Sequence, residues 1–519
     1  MRKIKPTAAV YDRWLSTLGG GEQVAFAYAE ALRDFGYQTE LLTHQRLNIH
    51  KAKQKMGINL DQIKVRYLPD KSTQELSQYT EQYDLFVNTS YLDYFPNRSK
   101  KGILSVFFPD QIYLSPTEYF KRRLVIPSLR KLFIYPTRFE GFLYDEYRDK
   151  RIFKWVGENS QIFFSGQITK FTVLFYATMI GFSLIDETEF YYNDVKIEPQ
   201  SKKLRHKSNV IEFSFEVNPS LERGQNKFSI VFKPNKSQAR VALLSLTIPG
   251  WKYFLYNIFK LFFPLWEMRL HGGPGITKRS DLESYDQIIT ISNFCIKWID
   301  RYWKLPSIVL YPPVQTKLFL PSSSKKNWIV HVGRFFVTGH NKKQQDLVKV
   351  FKKMITEHQL HDWELHCVGS IHPGEQHQQY FNQVQFLAQG FPIHFHIDVS
   401  FVELKSILAK AKIYWHATGL DENENKNPIL FEHFGVTTVE AMASGAVPVV
   451  INAGGQTEIV TPESGFLWNS RQQLIDQTVK LIKKPELLAK YSKKAVIRSR
   501  YFDKQKFVTR LQQILEETK

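Results

Sequence analysis

The residues best suited to chemistry are gathered in Glu432-His-Phe-Gly-Val-Thr-Thr-Val-Glu440, followed directly by Ala441-Met-Ala-Ser-Gly445. A glycine separates the paired glutamates. If a strand ends near Trp415 and a helix begins near Thr437, Glu432 lies on the loop over the strand's C-terminal edge and Glu440 lies inside the helix. That edge is where open parallel sheets bind ligands. The amides at the helix start, at Gly435, Val436 and Thr437, suit phosphate or hydroxyl oxygens, and Gly435 lets the backbone approach closely. A carboxylate accepts hydrogen bonds from vicinal hydroxyls, so the pair suits a sugar at one end and a ribose at the other.

The surrounding pattern predicts elements that can hold such a site. Over the first ~140 residues, strand-like runs at 7–11, 38–43, 84–88 and 102–108 alternate with helical segments, which implies a parallel sheet with helices on its faces. A glycine cluster, Gly19-Gly20-Gly21, follows the first strand and opens a helix, a geometry that can approach phosphates. There is no G-x-G-x-x-G, so the spacing speaks against a dinucleotide fold. From about 150 to 250 the runs are short and separated by Asn, Pro, Gly and Lys, as in an antiparallel β-sandwich. Alternation returns near 284–291. Residues 321–326 (PSSSKK) read as a linker, a second α/β unit starts at Trp328, and a helical region at 502–515 follows.

This pattern resembles the GT4 family of glycosyltransferases, whose signature is E-x7-E. His331-Val-Gly-Arg334, Lys342-Lys343, Gly454-Gly455-Gln-Thr-Glu458 and Leu310-Tyr-Pro-Pro-Val314 match further family segments in the right order. The form EHFG, with YPPV upstream, is most similar to the lipid-linked-oligosaccharide mannosyltransferases of that family. The resemblance implies an α/β GT-B fold, with Rossmann-like lobes facing a cleft and a β-rich, sandwich-like domain inserted in the N-terminal lobe. The expected boundaries are 1–149 for the acceptor-side lobe, 150–250 for the insertion, 251–320 for the return to that lobe, 321–500 for the donor-side lobe and 501–519 for a C-terminal helix.

It also implies roles. Glu432 would hold hexose hydroxyls, and the amides of Phe434, Gly435, Val436 and Thr437 would touch sugar and phosphate. Glu440 would bind the ribose. Arg334 and a lysine would neutralise the departing diphosphate. Counting back from Asp346 and Leu347 puts Lys343, rather than Lys342, in register. Gly20 and Gly21 would face the donor phosphates. Where family members carry a histidine, this chain has Phe107, in Val106-Phe107-Phe108-Pro109-Asp110; Asp110 reads either as a substitute or as a turn residue. The expected reaction is metal-independent, retaining transfer of a hexose from a nucleotide-diphosphate sugar to a glycan or lipid-linked acceptor, with no cofactor and no metal site. Asp421, Glu422 and Glu424 read as a solvated or acceptor-side loop. The rival reading is a GT-B scaffold with weakened catalysis that binds glycan through its β insertion.

Composition agrees with a folded enzyme. The 519 residues are 43% hydrophobic, enough for more than one core. The net charge of +20 favours anionic partners, but no nucleic-acid signature accompanies it, and no nucleic acid is expected. Cys295 and Cys367 fit no disulfide framework or metal spacing, which points to a reducing compartment. With no signal-peptide pattern, a cytoplasmic protein is expected, at the cytoplasmic face of a membrane. Residues 119–135 mix Lys and Arg with large apolar side chains, as an interfacial membrane contact does. The aromatics of 251–270 read more simply as packing for the insertion.

Overall fold

Apolar runs closed by glycine and polar turns become the strands of each sheet. The computed structural model describes residues 5–44, 47–68, 73–112, 120, 124–148, 151–178, 185, 187–205, 209–218, 226–232, 241–263, 277–337, 339–372 and 374–517. They divide into two compact units: 1–112 with 277–372 and 376–519, and 113–276 with 373–375.

The first unit opens with β1 (Thr7–Tyr11), β2 (Gln38–Thr43), β3 (Lys64–Tyr67), β4 (Leu85–Asn88) and β5 (Lys101–Val106). The second unit holds β6 (Pro136–Arg148), β7 (Arg151–Phe164), β8 (Lys170–Ala177), β9 (Glu189–Tyr192), β10 (Val195–Ile197), β11 (Ser201–Arg205), β12 (Val210–Glu216), β13 (Asn226–Val231) and β14 (Val241–Thr247). The first unit resumes with β15 (Gln287–Thr290) and β16 (Ile308–Val309), then β17 (Lys326–Val332), β18 (Glu364–Gly369), β19 (Ile393–Ile397), β20 (Ala411–His416), β21 (Val447–Ile451) and β22 (Phe466–Trp468).

Two parallel sheets make up the first unit. The N-terminal one is seven-stranded, in the order β16-β15-β5-β4-β1-β2-β3, and the C-terminal one six-stranded, β19-β18-β17-β20-β21-β22. Central strands such as β4 and β21 are buried at every position, as strands covered on both faces must be. The helix Gly20–Asp34 buries every residue from Val24 to Leu32, more than an amphipathic stripe requires. The reason lies at the other end of the chain. The helix Lys504–Glu517 packs Phe507, Leu511 and Ile514 into the same core as Ala8, Val10 and Tyr28. Lys504 also pairs with buried Glu30 at 2.6 Å. The helix expected at 501–519 thus completes the N-terminal lobe.

The second unit is larger than the stretch expected at 150–250. β6 pairs antiparallel with β7, so the boundary falls before that hairpin and not inside it. The helix Trp251–Phe262 stays with this unit: Tyr253 packs on its core, and Tyr256 stacks on Tyr135 at 4.9 Å. The return to the N-terminal lobe therefore begins at 277 rather than 251. The nine strands form one network ordered β10-β9-β13-β7-β14-β8-β12-β11, with β6 beside β7. β9 and β12 are far apart in that order, yet Phe190 of β9 lies 5.0 Å from Phe215 of β12, ring to ring. Phe171 of β8 likewise meets Phe228 of β13 at 4.8 Å. The sheet curls over a phenylalanine core, which gives the sandwich-like packing.

Candidate active site

The site is built on the C-terminal ends of β17 and β20. After β20 the chain runs through a loop to Gly435, which caps the helix Val436–Ala443 with φ 121°. A side chain at 435 would strike Gln456, so the turn needs glycine on two counts. Among the described residues, no carbonyl takes the amides of Val436 and Thr437. Gly454 and Gly455 support the loop from behind: the Gly455 amide donates to the Glu432 carbonyl at 2.7 Å, and a Cβ at 455 would stand 2.5 Å from Phe434 Cα.

Glu432 is held by two partners. Lys342 Nζ lies 2.6 Å from Oε2, and His416 Nε2 lies 2.9 Å from the same oxygen. Burial pushes the carboxyl upward, but Lys342 and His416 outweigh it and hold the group well below the usual carboxylate range. Lys342 reaches the site by lying across Gly333, where a Cβ would be 2.7 Å from its Cγ. Lys343 does not join it. Its amide is fixed by Asn341 Oδ1 at 2.7 Å, its backbone turns left-handed at φ 57°, and its amine pairs with Glu422 at 2.7 Å. The lysine in contact with Glu432 is therefore Lys342, whereas Lys343, the one that register counting selects for the diphosphate, turns to Glu422. The turn supplies the physical reason.

Glu440 is in a different state. It is buried in the helix, with no hydrogen bond or ion pair among the described residues, and burial alone pushes its carboxyl up to about 8. Tyr414 lies beside both glutamates: its hydroxyl is 2.8 Å from Thr437 Oγ1 and feels the charge of each. Arg334 is exposed and has no carboxylate partner among the described residues; its guanidinium lies 5.8 Å from the Phe336 ring centre. Its charge reaches His340, as do those of Lys342 and Glu432.

Four histidines surround Glu432, and sequence reasoning gave none of them a role. Burial lowers His331 and His340 to about 3 and His433 to about 4, and it lowers His416 as well. Their rings are neutral at physiological pH. A carbonyl can only accept, so His331 donates from Nδ1 to Trp415 O at 3.0 Å. An ionised carboxylate also only accepts, so His416 donates from Nε2 to Glu432. Among the described residues each ring keeps one buried nitrogen without a partner, His331 Nε2 and His416 Nδ1, and His433 Nε2 is likewise unpaired.

On the N-terminal lobe, Gly20 faces open space and Gly21 abuts the Phe107 ring, whose atoms lie 3.4 Å from where a Cβ would stand. Phe108 stacks on His433, with centroids 4.4 Å apart and planes 15° off parallel. An aromatic ring thus occupies the strand end where members of the resembled family carry a histidine, and imidazoles come from the opposite lobe. Asp110 is engaged by Thr277 at 2.8 Å. Asp12, at the end of β1, is a buried acid overlooked in the sequence; burial and nearby Glu22 raise its carboxyl to about 8. The acidic loop is paired throughout: Asp421 with Arg471, Glu422 with Lys343, and Glu424 with Lys297.

Glu458, from the Gly454-Gly455-Gln-Thr-Glu458 segment, joins the lobes. Oε2 accepts from the Asn293 amide at 2.9 Å and from Tyr311 OH at 3.0 Å, and Oε1 accepts from the Phe294 amide at 2.8 Å. It caps the helix Asn293–Trp303 of the N-terminal lobe. Glu458→Gln is expected to lower stability by about 1–3 kcal/mol, because a charge-assisted capping acceptor is lost. Differential scanning calorimetry would show it; an unchanged midpoint would remove this strut.

The family model "Glycosyl transferases group 1" matches residues 317–498. The mouse GDP-Man:Man(3)GlcNAc(2)-PP-Dol alpha-1,2-mannosyltransferase is 28% identical over 217 residues, 38% of this chain and 41% of that protein. The human enzyme of the same name is 27% identical over 196 residues, 35% of this chain and 37% of that protein. The chain thus spans about two fifths of the length of these relatives. Solved structures share the GT-B fold of this chain. Anabaena HepE in complex with UDP superposes with a TM-score of 0.52 at 12% identity, covering 98% of this chain and 100% of that one. Sucrose-phosphate synthase from Thermosynechococcus elongatus gives 0.51 at 12% identity, covering 99% of each chain.

Proposed function

We propose that this glycosyltransferase moves a hexose from a nucleotide-diphosphate sugar to a glycan or lipid-linked acceptor, with retention of anomeric configuration and without a metal. The observation that carries this reading is the contrast within one motif. Glu432 is ionised and gripped by Lys342 and His416, whereas Glu440, eight positions on, is buried and unpartnered. A carboxylate of the first kind orients sugar hydroxyls, and one of the second kind awaits a diol. The lone pairs left on His331, His416 and His433 suit further hydroxyls.

In the reaction, the acceptor oxygen bonds to the anomeric carbon as that carbon's bond to the diphosphate breaks, and the acceptor proton passes to the departing phosphate oxygen. The free amides of Val436 and Thr437, with Lys342 and Arg334, would stabilise the growing negative charge, and Gly20 leaves room for it. The relatives' names make GDP-mannose the first donor to try. GDP-, UDP- and ADP-sugars should be screened by thermal shift, then by mass spectrometry with lipid-linked and free glycan acceptors. One donor should raise the midpoint and yield a sugar-extended product. A chain that binds no nucleotide sugar would overturn the reading.

An exposed apolar helix face supports the lipid-linked choice. Residues 119 and 121–123 of the expected basic contact lie outside the described residues, but the helix Trp251–Phe262 offers a clearer face. Trp251, Phe254, Ile258, Leu261 and Phe262 fall on one helical stripe and are exposed, Leu261 by 75% and Phe262 by 68%. Lys252 and Lys260 flank them, with no acidic residue between 250 and 263. Among the described residues no helix is long and apolar enough to cross a membrane, so the helix suits lying in the plane of an anionic interface. The chain is expected to float with phosphatidylglycerol vesicles but not with phosphatidylcholine ones, and the double variant Trp251→Glu/Phe262→Glu is expected to stay at the bottom of the gradient. Equal flotation of both, or self-association that the variant abolishes, would contradict it.

A further inference from the structure

At the opposite edge of the C-terminal sheet from Glu432, near the start of β18, a second group of polar side chains has no part in sugar binding. Glu364 and His366 are two residues apart on β18 and so share a face. His366 stands directly opposite His394 of β19 in the parallel register. Glu364 Oε2 lies 3.1 Å from His366 Nε2 and 3.2 Å from His394 Nε2. All three donor atoms lie within 4.8 Å of one another. The edge of a tetrahedral zinc site with ligands about 2.0–2.1 Å from the metal is about 3.3 Å, close to both measured contacts.

The geometry points to a binding site for a divalent transition metal, of the zinc or cobalt class, formed by Glu364, His366 and His394. Two imidazoles and one carboxylate suit these ions rather than magnesium or calcium, which prefer all-oxygen shells. His366 is backed as a metal ligand usually is: its Nδ1 lies 2.9 Å from His396 Nε2. With the proton on Nδ1 and donated to His396, the Nε2 lone pair turns to Glu364 and His394. The Trp328 ring, 4.0 Å away, packs on His366, whose side chain is only 5% exposed, whereas Glu364 and His394 are 39% and 50% exposed. One ligand is therefore preset and two are open to solvent, leaving a fourth position for water.

Such a site would act on the fold. Among the described residues β19 is the edge strand, hydrogen-bonded on one side only, and the metal would clip it to β18 through side chains.

The test uses the full chain without a histidine tag, freed of metal by chelator. Cobalt titration should give the visible absorption of a tetrahedral centre, saturating at one equivalent, and zinc should raise the unfolding midpoint while magnesium and calcium leave it unchanged. His394→Ala, at a half-exposed position, should fold yet lose the cobalt spectrum. His396→Ala should weaken binding by about 10–100-fold while keeping the spectrum, as expected of a residue that positions a ligand. Equal cobalt binding by wild type and His394→Ala, or no tetrahedral spectrum at saturating cobalt, would overturn the assignment.

Discussion

Replacing Glu432 by Gln is expected to cut sugar transfer by about 10²–10³-fold, the scale seen when one preorganised polar group is removed from an active site. Gln fills the same volume but carries no charge, so Lys342 and His416 lose the anion that fixes them. The loss should appear mainly in kcat, because Glu440 and the helix amides remain to hold the nucleotide. Isothermal titration with the nucleotide diphosphate separates inactivity from unfolding. Stability should also fall, by about 3 kcal/mol, since the lysine is left as an unpaired, largely buried cation. The neighbouring lysines give the discriminating comparison. Lys342→Met should cost transfer on the same scale as the glutamate change. Lys343→Met removes only a pair with Glu422 and should cost less than about tenfold. A reversed order would mean that Lys343 serves the diphosphate, and near wild-type turnover by Glu432→Gln would end the proposed chemistry.

Glu440→Gln is expected to weaken nucleotide diphosphate binding by about 10–150-fold, from the loss of about 1.5–3 kcal/mol in charge-assisted hydrogen bonds. Its signature is the pH dependence. In the free protein burial raises this carboxyl to about 8, so at neutral pH it is protonated. A ribose diol prefers the ionised form, which means that binding expels a proton. Affinity should therefore rise with pH towards about 8 and level off above it. The sign for folding is the opposite. A carboxyl with a folded pKa above its unfolded value stabilises the fold at low pH, and that contribution is lost as pH rises from about 4.5 to about 8. Calorimetry in buffers of different ionisation enthalpy counts the released proton. Wild type should release one and Glu440→Gln none, with a flat profile. A pH-independent wild type would separate Glu440 from the ribose.

The parts of this architecture legible in sequence were those written in adjacent residues. The Glu432–Glu440 spacing, the helix beginning at Val436 and the strand ending at His416 all follow from local type and order. That Lys342 and not Lys343 meets Glu432 was not legible, because register counting assumes a regular entry into the helix. Here Asn341 captures the Lys343 amide and turns that residue left-handed. The histidines around Glu432 were illegible for another reason. His331 comes from β17, His340 from a turn, His416 from β20 and His433 from the loop, so only the sheet order β17-β20 brings them together. The insertion's limits were hidden because β6 reads like any strand until its partner is known.

The helix Lys504–Glu517 has a bearing on biosynthesis. Phe507, Leu511 and Ile514 close a core that also holds Ala8, Val10 and Tyr28, which leave the ribosome long before them. Until residues near 511 emerge, the nascent N-terminal lobe must keep an oily flank uncovered while the β insertion and the whole donor lobe are being made. Chains stalled or cut before that point would carry a complete donor lobe beside a sticky, unfinished partner, the kind of species that chaperones retain.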